Sequence, residues 1–374
     1  MAKTVNPGSI LVYIGHNPDN ALGENIIKLP FLRAIRQAFP DARVSWMYGR
    51  GPSFFEDSLK PLAAGLIDEV LNHTSLGASA AELFRRAPPL PGRRFDLVID
   101  TQHALHRTLI VRRVAHGRFV SPTWNFLFSD RKPPAGLPRP TLLVDQLLAL
   151  VAAAAGRVVR PPHVAPLPEP WYAAADRILR PGPAYVGLAP GAGRKDTGKC
   201  WPLERFIALA REQGRKGRVP VFFLGPDEAG WLPLLRQRVA DAVFPGWGDA
   251  APPGDMAGPP LVVALARHLA AAVSNCSGTG HLLAAGGAPM VSLFGPTNPK
   301  KFAPYTPSLR VLTAQRFGGT AMDSIPADAV LGAVDAQVAA GPAGAGVWEP
   351  RGRPLSLCAS STSPRLRRPP TCRF

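Results

Sequence analysis

Four short loops hold the residues able to do chemistry. In NALGENIIKLP (20–30), Glu24 follows Gly23 at the mouth of a helix. A carboxylate there is stabilised in its charged form, which suits either a cap or a base. In APGAGRKDTGKCWP (189–202), a glycine turn containing Gly191 and Gly193 precedes Arg194, Lys195 and Lys199. Backbone N–H groups and one of these cations can hold a diphosphate. The glycine and lysine order is not that of a Walker loop, and a solvated basic loop is the alternative. LGPDE (224–228) sets Asp227 and Glu228 just after a strand, where a carboxylate binds a ribose hydroxyl or Asp227 caps a helix. SNCSGTGHLLAAGG (274–287) places Cys276, Ser277, Gly278 and His281 between an apolar run and an Ala/Leu helix. Ser277 or Thr279 can cap that helix, turning its first N–H groups toward an anion or a hydroxyl-rich ligand. His281, one turn in, reads as a buried structural histidine or a ligand contact.

These loops need strands behind them and helices after them, and the chain supplies both twice. SILVYIG (9–15), ARVSWMYG (42–49), LIDEVLN (66–72), FDLVIDTQH (95–103) and GRFVSP (117–122) read as strands. IIKLPFLRAIRQAF (26–39) reads as an amphipathic helix broken near Pro30, and a second helix spans about 141–155. GRVVRPPHVAPLPEP (156–170) carries five prolines and reads as an interdomain linker. The grammar then restarts, with strands in AYVGLAPGAG (184–193), VPVFFLGPDE (219–228) and PMVSLFG (289–295) and helices at 202–214, 231–240 and 326–340. LAAAV (269–273) reads as a short buried strand or a helix end. Two βαβ-type halves with ligand-like loops at strand ends imply two facing open sheets and a cleft between them.

At 374 residues the chain has room for two domains with cores that need no staples. Four scattered cysteines with no C-x-x-C pair argue for a reducing compartment and against zinc. The most apolar segment, LLALVAAAAG (147–156), is about half the length that spans a bilayer, and no signal-peptide core is visible, so a soluble protein is expected. The net charge of +17 attracts polyanions, but no zinc finger, RNP-type strand or helix-turn-helix pattern points to nucleic acid. From Gly341 to Phe374, six arginines stand against Glu349 in a Pro-, Ser- and Gly-rich segment, the composition of a disordered tail.

G-E after the first strand, K-x-W-P at 199–202, GPDE, and SG-x-x-HL-x-A-A followed by LFGPT-x-P occur here in that order. From about residue 9 to 315 the chain resembles glycosyltransferase family 9, the lipopolysaccharide heptosyltransferases. The resemblance implies an α/β GT-B fold of two Rossmann-like domains. Residues 1–160 would bind the acceptor and 170–320 the nucleotide sugar, with a terminal helix over 321–340 and the basic disordered tail over 341–374. It implies inverting transfer without metal or cofactor, from an ADP-heptose donor to an anionic saccharide or lipid-linked acceptor. The setting would be the cytoplasm, peripheral at the inner face of the membrane.

By the same resemblance Lys199 matches the lysine at the donor phosphates and Glu228 lies near the acid that holds ribose. Ser277, Gly278 and His281 match the loop facing the sugar and its phosphate, and Glu24 stands where the family has a catalytic aspartate. Should Glu24 be structural, Asp19, Asp100 and His103 are the remaining bases. Cys276 replaces the aspartate of the family's DSG or DTG, exchanging a hydroxyl-binding carboxylate for a weakly hydrogen-bonding thiol. That exchange leaves two further readings: a transferase for a UDP-hexose, and a silent nucleotide-sugar-binding or assembly protein.

Overall fold

The computed structural model describes residues 6–15, 22–49, 53–137, 139–193, 198–250, 252 and 256–341. Asp19, Arg194, Lys195 and the tail beyond Gly341 lie outside the described residues.

The first sheet contains β1 (Ser9–Tyr13), β2 (Arg43–Met47), β3 (Glu69–Leu71), β4 (Arg94–Asp100) and β5 (Ala115–Val120). They are parallel, in the order β3-β2-β1-β4-β5. The second sheet contains β6 (Tyr185–Ala189), β7 (Val219–Phe222), β8 (Leu269–Asn275), β9 (Met290–Phe294) and β10 (Leu309–Thr313), again parallel, in the order β10-β9-β8-β6-β7. Ile10, Leu11, Val12 and Tyr13 are fully buried, as are Met290, Val291, Leu293 and Phe294. Such strands, apolar throughout in Ile10–Tyr13 and interrupted in β9 only by the equally buried Ser292, fit parallel sheets covered on both faces.

In the first half the helices are α1 (Leu22–Ile26), α2 (Leu29–Ala38), α3 (Leu105–Val111), the single turn α4 (Thr123–Phe126) and α5 (Leu143–Ala155). The second half has α6 (Glu169–Ile178), α7 (Leu203–Arg215), α8 (Leu232–Arg238), α9 (Pro259–Ala266), α10 (Gly278–Ala285), α11 (Pro299–Phe302) and α12 (Ala327–Ala340). The break expected near Pro30 falls before it: α1 ends at Ile26, and Pro30 sits in the first turn of α2, where its missing N–H costs nothing. For the same reason α6 begins inside the proline-rich segment, with Pro170 in its first turn. The segment LAAAV is part of strand β8.

Each sheet winds outward in both directions from an inner pair, β1 with β4 and β6 with β8, so each has a topological switch point. Ligands of open α/β sheets bind beyond the strand carboxyl ends at such points. The two halves share a core in which Ile26 of α1 and Leu282–Ala285 of α10 meet Val159, Ala165 and Leu167 of the proline-rich segment. Ala165 N–H donates to Ala285 O at 2.7 Å, and Arg33 Nη2 to His163 O at 3.0 Å.

Candidate active site

The candidate residues of the sequence gather at the two switch points. Glu24 follows β1, Gly191 and Gly193 follow β6, and Cys276, Ser277 and Gly278 follow β8. Ser277 caps α10, its Oγ accepting from Gly280 N–H at 3.3 Å. The first-turn N–H groups of an α-helix have no partner within the helix and point out of its end.

Opposite that end stands α1. A Cβ added at Gly23 would meet Gly278 Cα at 3.3 Å, and one added at Gly278 would meet Gly23 Cα at 3.4 Å. The two backbones therefore touch, and Glu24, the next residue, is exposed beside the Ser277–Gly278 turn. Lys28 anchors the same stretch, its Nζ donating to Glu24 O at 2.6 Å. Burial lowers the Lys28 pKa to about 8, with the Glu24 charge acting against it. Burial, then the Glu24 charge, push Tyr48 up to about 12.

In the second domain Gly191 and Glu228 are packed together, a Cβ at Gly191 landing 2.3 Å from Glu228 Oε1. Glu228 is buried and its Oε2 accepts from Gly225 N–H at 2.9 Å. The helix-capping role that the sequence offered to Asp227 is thus filled by Glu228. Lys199 is half-buried, and its charge acts on Cys276, the two residues coming from separate loops. Burial raises the Cys276 thiol pKa, while the facing Thr297 hydroxyl and Lys199 work against that rise. Gly193 is exposed and has φ +77°, a conformation that glycine adopts without strain.

His281 is set apart from this group. It is buried, and burial lowers its pKa to about 4, so the imidazole is neutral at neutral pH. It lines a cavity of about 10 Å³ between the two halves with Ile26, Arg33, His163 and Tyr305. Asp100 is also enclosed. Its carboxylate accepts from Thr108 Oγ1 at 2.7 Å, Ser121 Oγ at 2.8 Å and Gln102 N–H at 2.9 Å, and burial raises its pKa to about 6. His103 is lowered by burial and by Lys301, a residue of the second half.

Reading the loops in sequence missed Asn275. Fully buried at the end of β8, it accepts from Trp201 N–H at 3.0 Å and donates to Pro190 O at 2.7 Å, tying the Lys199 loop to the Cys276 loop. Its only sequence signal is an amide at the end of the apolar run LAAAVS. Among the described residues no group of His, Cys, Asp and Glu is arranged to hold a metal ion, and no helix is long and apolar enough to cross a membrane.

A family model described as glycosyltransferase family 9 (heptosyltransferase) matches residues 84–322, more than half of the chain. The chain belongs to glycosyltransferase family 9. Lipopolysaccharide heptosyltransferase 1 of Escherichia coli strain K12 is 25% identical over 318 residues, covering 79% of this chain and 92% of its own. A family 9 glycosyltransferase of Veillonella parvula matches in structure with a TM-score of 0.64 and 19% identity, over 89% of this chain and 98% of its own. E. coli heptosyltransferase WaaC, solved with ADP, matches with a TM-score of 0.59 and 18% identity, over 88% and 99%. The fold is therefore the GT-B fold expected from the sequence, two parallel-sheet α/β domains, and this family 9 chain is a glycosyltransferase of the heptosyltransferase type.

Proposed function

We propose that the protein is an inverting transferase moving a heptose from ADP-heptose to a saccharide acceptor of lipopolysaccharide assembly, with Glu24 as the general base. The observation that carries this reading is the contact of Gly23 with Gly278, which sets a carboxylate of the first domain beside a helix N-terminus of the second. The identity of about 25% with heptosyltransferases of Escherichia coli supports the donor and acceptor classes.

In this scheme the acceptor hydroxyl is held against Glu24, which takes its proton as the oxygen attacks the anomeric carbon. The bond from that carbon to the diphosphate breaks as the new one forms, and ADP leaves with the electron pair. Charge growing on the leaving oxygen is offset by the N–H groups at the start of α10 and by Lys199. Gly191 lets the donor loop lie on Glu228, and Asn275 holds the two donor loops in register. His281, neutral and buried, supports α10 from behind. At Cys276 the sugar meets a thiol instead of a carboxylate.

Glu24→Gln keeps the side chain's shape and removes the base. Turnover is expected to fall by about 10²–10⁴, ~3–5 kcal/mol of barrier, with ADP affinity by calorimetry unchanged. Normal turnover of this variant with a verified donor and acceptor would rule Glu24 out as the base.

A further inference from the structure

We propose that the loop from Trp124 to Arg139 is a docking surface for an anionic lipid bilayer. It starts from a backbone conformation that residues with a Cβ disfavour. Trp124, Asn125 and Phe126 follow one another at φ +49°, +57° and +64°, a left-handed turn with no glycine in it. The turn is fastened from below. Thr123 Oγ1 donates to Gln102 O at 3.0 Å, Ser129 Oγ bonds Ser121 through both N–H and C=O, and half-buried Phe126 packs on the core.

What the turn achieves is exposure. Trp124 is 62% exposed, Leu127 61% and Leu137 40%, and these are three of the seven large apolar side chains most exposed among the described residues. The ring of Phe128 lies 5.6 Å from that of Trp124 and props it outward. The turn packs Phe126 inward and leaves the Trp124 indole and the Leu127 side chain largely in solvent, where they pack against nothing that accounts for their size. It suits a partner that takes both.

Charge selects the partner. Lys132 and Arg139 are exposed and Arg131 is half-buried in the same loop. Its acid, Asp130, is already engaged by Arg112 at 3.1 Å and by Phe119 N–H at 2.7 Å. Indole and leucine side chains flanked by the exposed Lys132 and by Arg139, whose Nε donates to Asn125 Oδ1 at 3.4 Å, match the interface of an anionic bilayer, where the ring sits at headgroup depth and the cations meet phosphates.

Position gives the surface a use. The loop leaves the carboxyl end of β5, two strands from β1 and so ~10 Å along the rim that carries Glu24. Docked there, the protein would turn the acceptor side of its cleft toward lipid-anchored saccharides. The proposal stands apart from the role of Glu24, because it is read by vesicle binding and not by turnover.

The test uses the full chain and vesicles of phosphatidylglycerol with phosphatidylcholine, with and without bromine on the acyl chains. Brominated lipid is expected to quench part of the tryptophan fluorescence, and Trp124→Phe to abolish that part while the protein still binds. A Trp124→Ala/Leu127→Ala double variant should keep its melting temperature and lose about tenfold in vesicle partition. Lys132→Glu should weaken binding to the anionic vesicles, while pure phosphatidylcholine binds neither protein. Equal quenching of wild type and Trp124→Phe would overturn the proposal. Unchanged partition of the double variant would also overturn it, assigning membrane binding to the basic tail. Absence of quenching would leave the loop as a contact for a protein and overturn it equally.

Discussion

At the carboxyl end of the first sheet the polar groups are side chains, with Glu24 exposed, Asp100 enclosed by Thr108, Ser121 and Gln102, and His103 facing a lysine of the other domain. At the carboxyl end of the second sheet they are largely backbone, with the Ser277-capped start of α10 and the glycine loop on Glu228, joined by Asn275. Side-chain carboxylates can accept a proton, and fixed N–H groups can receive developing negative charge without reorganising. The proposed transfer uses both, one from each domain. The two rims then depend on where they touch, the glycine pair Gly23 and Gly278.

Apart from removal of the Glu24 carboxylate itself, the largest effect is expected from breaking that contact. Gly23→Val drives a branched side chain into the Gly278 backbone, and a displacement of about 1 Å costs on the order of 10² in rate. Single-turnover assays should show that loss with ADP affinity nearly intact. An equal loss of ADP affinity would mean that the rims are not separate.

Next is the donor side alone. In the proposed site Lys199→Ala would remove a charge-assisted contact worth ~1.5–3 kcal/mol, so ADP should bind at least tenfold more weakly by calorimetry. Unchanged affinity would take Lys199 out of the site.

The buried titratable groups of the two rims oppose each other in pH. His281, lowered to about 4, contributes stability that is complete above its unfolded pKa near 6.5 and is lost as pH falls toward 4. Asp100, raised to about 6, contributes stability that is complete below its unfolded pKa near 3.8 and is lost as pH rises through 6. Between pH 7 and 5.5 the histidine effect is about 1 kcal/mol. Thermal melts should show a flatter acid-side decline for His281→Gln and a steeper one for Asp100→Asn than for wild type. Parallel curves for all three would mean that neither group titrates as its burial requires.

The smallest effect is expected at Cys276. An aspartate there gains Lys199 as a nearby cation, a half-exposed pairing worth ~1 kcal/mol at most, and can accept sugar hydroxyls. Cys276→Asp should raise turnover with ADP-heptose a few-fold. A sharp fall would show that the thiol is matched to another sugar.

The sequence by itself determined most of the strands, the loops after them and the family, leaving LAAAV of β8 open between strand and helix end. Those signals are local: apolar runs, glycine turns, a capping serine and motifs of a few residues each. Elements without such signals escaped it. Helix α9, PPLVVALA, is apolar on all sides, and β10 is a short strand after a proline-rich turn. Tertiary structure alone decided that Gly23 meets Gly278, that Glu228 is occupied by the backbone of its own turn, and that Asn275 bridges two loops. It also decided that His281 is neutral and that Trp124 points outward. Each of these depends on groups from distant parts of the chain, or on burial that only packing creates. The type of a residue fixes which chemistry it can do, and the packed neighbours fix its charge state, its partners and what it can reach.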